Sequence, residues 1–240
     1  MRASKRLETS GIKRTKIPNT KNEVSSSINK IDKRDFSQSD FSYDIFSRAI
    51  KRANNLVKVS ENSKLSSLCE DSLRAAVVLS ISALDAYIRT LVSNKITSIL
   101  TDSSGEVSSE IRNYVKSIVN NDLMLDAARK YTFKDIVEKA IREDFELKSF
   151  QGENRIDFYM KLIGYPDVFE TISRSANISC SGLKSDIHKF TKRRHIIAHC
   201  GDFDLSNTML TENAIDKVFT IKCIKVVSTF AEHLHKVVSK

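Results

Sequence analysis

Residues 77 to 92 read VVLSISALDAYIRTLV and place Val77, Ile81, Leu84, Ile88 and Leu91 at alternating spacings of four and three. That is the 3.6-residue period of a helix with an apolar stripe, and not the strict alternation of a strand. The stripe predicts one long helix from about Ser63 to Leu100, ended by the polar run TDSSGE. Asp85 and Arg89 interrupt the apolar residues, so no stretch reaches the ~20 that a membrane span needs.

The same period continues outward on both sides. With only six glycines and two prolines in 240 residues, the chain has few places to turn sharply, and an all-α fold of long antiparallel helices follows. Asp40 or Ser42 can cap a first helix to about Ser60. Shorter helices are predicted at Val107–Val119, Phe133–Leu147, Arg155–Ile163 and Asp167–Ala176, then a longer one at Leu183–His199. Thr211 is a suitable N-cap for a terminal helix reaching about Val238.

Charge divides the chain differently. Residues 1–40 hold ten Lys/Arg against five Asp/Glu, about half of the formal net charge of +9, and lack periodic apolar residues. Such a segment buries too little surface to offset its ordering entropy, so 1–40 is expected to be a basic, mobile or partner-ordered arm and 41–240 the helical domain. Excess positive charge favours polyanions such as RNA as partners. The four cysteines, Cys69, Cys180, Cys200 and Cys223, have no zinc-ligand spacing, and no P-loop, Rossmann or GxSxG pattern occurs. Neither a metal nor a cofactor is expected, and the absence of a secretory signal leads to the expectation of a cytoplasmic protein without membrane contact.

Chemistry concentrates in Lys192 to Phe203, KRRHIIAHCGDF. At about 100° per residue, Arg194 falls on the apolar face of its helix with Leu183, Ile187, Phe190 and Ile197. A guanidinium there needs a carboxylate or a phosphate, and Asp85 of the long helix is the first candidate to orient it. On another face His188, Lys192, His195 and His199 form a polar stripe at spacings of four, three and four. His233 and His235, near the end of the chain, read as surface or interface groups.

Arg193 to His199, RRHIIAH, resembles the Arg-x4-6-His signature of the HEPN superfamily, with either Arg193 or Arg194 as its arginine. SISALDAYIRTLV (80–92), FQGENRIDFYMKLIG (150–164) and KRRHIIAHCGDF follow in the order of the RiboL-PSP-HEPN-like branch, and the resemblance covers about 65–240. It implies a HEPN-type helical bundle acting as a metal-independent endoribonuclease. Arginine and histidine from two protomers would meet in a composite site across a homodimer, and 2′-OH attack would leave 2′,3′-cyclic phosphate and 5′-OH ends.

In these terms Arg194, His199, Arg193 and His195 are the candidate catalytic residues, and Lys192 and His188 the candidate substrate-binding ones. The family often has asparagine where this chain has His195. HEPN toxins silenced by nucleotide transfer carry a tyrosine two residues beyond the motif histidine, where this chain has Gly201. The implied setting is a toxin or antiphage-defence effector with an antitoxin or defence-system partner. The alternative is a non-catalytic HEPN module that binds RNA or a partner protein.

Overall fold

In the computed structural model the described residues are 38–62, 64–102, 105–119, 133–204 and 211–239, with 122, 125 and 129. The basic arm assigned to 1–40 lies outside them except for its last three residues, which are helical. Eight helices are described: α1 Gln38–Asn62, α2 Ser66–Thr101, α3 Ser109–Ile118, α4 Phe133–Glu146, α5 Glu153–Leu162, α6 Val168–Ala176, α7 Cys180–Cys200 and α8 Lys217–Val238. No strand occurs among the described residues beyond one isolated bridge, Phe203 to Glu212, so the chain is all-α as its periodicity predicts.

α2 is the organising element. The stripe of Val77, Ile81, Leu84 and Ile88 is fully buried, and Tyr87 and Val92, on other faces of the same helix, are buried too. α2 packs most extensively on α1, with which it forms an antiparallel hairpin through a three-residue connection, and then on α8, α7 and α4. By length and composition alone α2 could cross a membrane, since an 18-residue window has mean hydropathy 1.6; 56% of that window is buried inside the protein. The interruption by Asp85 and Arg89 is therefore weaker than the sequence reading supposed.

Two caps differ from expectation. α1 starts at Gln38, so Asp40 and Ser42 lie inside its first turns. α8 starts at Lys217, where the Asp216 carboxylate accepts from the Phe219 backbone N–H at 2.7 Å. Thr211 is not its N-cap: its carbonyl accepts from the Asp204 N–H, which holds that segment extended beside the bridge.

Aromatic rings fix the segment between α4 and α5. Phe150 stacks on Tyr159 at 4.1 Å between ring centroids and meets Phe145 edge-on at 4.6 Å. Gly152 then begins α5 at φ 91°, a conformation that a side chain would strain. Cys69, Cys180, Cys200 and Cys223 are free thiols, and Cys223 is wholly buried.

Candidate functional site

α7 is buried for only part of its length. Leu183, Ile187 and Phe190 seat it in the core, whereas none of residues 191–200 is fully buried. The last three turns thus leave the core while keeping the angular phase set by the buried residues. Ile196 and Ile197 are half-buried there, and His195, Ala198 and His199 are exposed.

The two adjacent arginines end in different surroundings. Arg193 donates to the Asp202 carboxylate at 2.7 Å and to the carbonyls of Asn213 and Ala214 at 3.2 and 3.1 Å. Asp202 is fully buried and also binds Arg74 of α2, whose Nε donates to it at 2.8 Å. Burial works against the charge of Arg74, but Asp202, Asp71 and Glu212 outweigh it and hold the guanidinium above its ordinary pKa. The Asn213 N–H and side-chain amide both donate to the Asp202 carbonyl at 2.8 Å.

This knot follows directly on a reversal of the chain. Gly201 at φ 61° caps α7, and Asp202 continues in the left-handed region at φ 66°. A side chain at 201 would also press the Phe203 ring, with a contact of 3.3 Å. Arg193, a candidate for chemistry, thus holds the turn through a carboxylate with no exposure that it shares with Arg74, and it also lines a cavity with Lys189 and Lys192. The αL turn brings Asp202 back along α7 and so places this candidate residue in an ion pair.

Arg194 faces another way. Its Nε is closed off from solvent and has no hydrogen-bond partner. Asp85, the expected partner, is engaged elsewhere: one oxygen pairs with Arg89 at 2.8 Å and the other accepts the Phe150 N–H at 2.7 Å. Arg89 in turn donates to the carbonyls of Phe145 and Lys148 and lies over the Phe150 ring. The Asp85–Arg89 pair thereby pins residues 145–150 to α2, and the pinned segment forms one wall of a cavity of about 290 Å³ lined by Asp85, Arg89, Lys148, Gln151 and Arg194. Asp85 and Arg194 do share a site, as neighbours across a cavity and not as an ion pair.

The polar stripe divides as well. His188 Nδ1 lies 2.9 Å from Glu153, tying α7 to the start of α5. Lys192 lines a different cavity, of about 270 Å³, with Lys189, Arg193, Ile196 and residues 214–216. His195 and His199 stand side by side on the exposed end of the helix, their ring centroids 4.5 Å apart. His233 is bonded to Ser175 at 2.8 Å and His235 stacks on Tyr43 at 4.3 Å.

Sequence reasoning did not reach Arg74, Asp202, Lys148 or Gln151. Asp202, directly after the glycine that ends α7, carried a readable signal, because a carboxylate at a helix reversal nine positions after Arg193 can fold back onto it. Lys148 and Gln151 carried none, since their places depend on the segment that Arg89 pins. No group of three or more His, Cys, Asp or Glu among the described residues is arranged to hold a metal ion. Comparison with protein-family models, curated proteins and solved structures gave no match.

Proposed function

We propose that this chain is a HEPN-type, metal-independent endoribonuclease that works as a homodimer, with Arg194 and His199 as its principal groups. The observation that carries the reading is the different fate of the two arginines: Arg193 is paired with a buried carboxylate, while Arg194 lines an open, mixed-charge cavity. Around α7, His199 lies about 140° from Arg194, so either the long arginine wraps round the helix or the two groups meet across a two-fold axis, and the dimer is the preferred arrangement. The half-buried Ile196 and the exposed Ala198 give the end of α7 a surface on which a second copy can pack. Such a pairing would set Arg194 of one protomer near His199 of the other.

In that arrangement an imidazole removes the ribose 2′-OH proton and the 2′-oxygen bonds to phosphorus. The bond to the 5′-oxygen breaks, and a second imidazole protonates the leaving oxygen; His195, beside His199, is placed for this role. Arg194 balances the charge that builds on the phosphoryl oxygens. The products are a 2′,3′-cyclic phosphate and a 5′-OH, and the substrate supplies the nucleophile. A toxin or defence effector with a protein antagonist is the setting that the resemblance suggests.

The test is incubation of the purified protein with end-labelled RNA in excess EDTA. Cyclic-phosphate ends that vanish in His199→Ala support the enzyme. The separation of Arg194 from His199 within one chain also favours a second reading, a non-catalytic module that binds RNA or a partner. RNA binding without products, together with a monomeric state in solution, would establish that reading instead.

A further inference from the structure

His195 and His199 share a spacing that proton transfer alone does not require. In HIIAH the two histidines are four residues apart, so they fall on one face of α7, about 40° from each other. Two imidazoles at i and i+4 on a helix are the pairing that binds zinc in the HExxH motif; Ile196 stands here in place of that motif's glutamate, the general base. Both histidines are exposed, and their ring centroids are 4.5 Å apart. Among the described residues neither ring has a hydrogen bond or an ion pair, so their nitrogens are open to a ligand. The other three histidines are placed differently. His188 is held by Glu153, His233 is bonded to Ser175 and His235 stacks on Tyr43. Two positions apart on α8, His233 and His235 also differ by about 200° and do not share a face.

Two nitrogens that share a tetrahedral ion, each about 2.0–2.1 Å from it, stand roughly 3.3 Å apart. Rings with centres at 4.5 Å can reach that separation by rotation about their side-chain bonds, without movement of the helix. The helix favours a cation at this place, because His199 is in the last turn of α7, where the macrodipole has its negative end. Lys192, one turn before His195, opposes any cation by charge. That opposition bears hardest on Mg²⁺, which takes oxygen ligands and gains nothing from imidazole, and least on ions bound through nitrogen. Cys200 lies about 100° further round the helix than His199 and is not on this face.

We infer that His195 and His199 form a chelating site for a divalent transition-metal ion of the Zn²⁺ class, with water in the remaining positions, and that the bound ion inhibits the chain. The ion takes no part in catalysis. It occupies the nitrogen lone pairs of the two imidazoles, and these are the positions that would take the proton from the ribose 2′-OH and pass one to the leaving oxygen. Binding stands on the geometry of the histidines; inhibition rests on the nuclease reading.

The experiment is calorimetric titration of Zn²⁺ into the full chain, stripped with EDTA and then freed of it, with Mg²⁺ as the comparison. Zn²⁺ is expected to bind at one ion per chain and Mg²⁺ not at all. His195→Ala and His199→Ala, both changes at exposed residues, should each weaken Zn²⁺ binding by at least about 10- to 100-fold, since even an outer partner of a metal ligand is worth that much. His188→Ala and Cys200→Ser should leave it unchanged. Zn²⁺ binding that survives either change at His195 or His199, or that is lost with Cys200→Ser, overturns the inference. In the cleavage assay, Zn²⁺ should stop RNA cleavage over the concentrations at which it binds, and excess EDTA should restore it. Cleavage that continues at full rate with the site filled overturns the inhibitory role. If Zn²⁺ binds through both histidines and the protein cleaves no RNA in EDTA, the nuclease reading fails and the metal site stands.

Discussion

Arg193 and Arg194 are neighbours in sequence and differ by about 100° around α7, enough to send one into a salt-bridge knot and the other to a cavity. Substitutions should separate the two roles. Arg194→Ala is expected to lower cleavage by ~10²- to 10³-fold, the loss typical of one transition-state donor, with no fall in Tm. His199→Ala should cost ~10²- to 10⁴-fold, also without loss of stability. Asp202→Ala, by contrast, removes the one buried carboxylate that Arg74 and Arg193 share and should destabilise the fold by about 3–5 kcal/mol, measured by urea denaturation. A stable Asp202→Ala protein would show that the knot is dispensable. The angular position of Arg194 on the apolar face was readable from spacing alone. That Asp85 would be taken by Arg89 and the Phe150 N–H was not, because this depends on where a segment 65 residues away is laid down.

Periodicity along α2 and α7 defined which face of each helix is buried, but not where burial stops. Leu183, Ile187 and Phe190 and the later Ile197 share one stripe, yet full burial stops at Phe190 and Ile197 packs only half-buried against the core. Where burial stops is a tertiary quantity that no local pattern contains. The Thr211 cap failed for a related reason: Thr211 and Asp216 are both good capping residues, and the bridge at Phe203 and Glu212 decided between them. The free end of α7 makes the proposed dimer testable. Ala198→Glu should give a folded monomer by light scattering, without cleavage. Mixing Arg194→Ala with His199→Ala proteins, after subunit exchange, should restore about a quarter of wild-type activity, since half of the dimers would carry one intact composite site. Absence of recovery in a verified heterodimer would place both groups in the same chain.

Over the whole molecule, charge and burial give two more expectations. Residues 1–35 carry ten Lys/Arg against four Asp/Glu, so their removal takes away most of the net charge. The truncated protein should bind RNA more weakly and with a shallower dependence on salt, read from filter binding across a salt series. Burial pushes the Cys223 thiol up to about 12, so under native conditions it should resist a thiol reagent that reaches the partly exposed Cys69, Cys180 and Cys200, and react only on unfolding. The Asp202 knot has a further consequence. It joins Arg74 to Asp202, 128 positions apart, and draws in the carbonyls of Asn213 and Ala214. A chain still emerging from the ribosome therefore cannot fix the turn after α7 until residues 213 and 214 have been made.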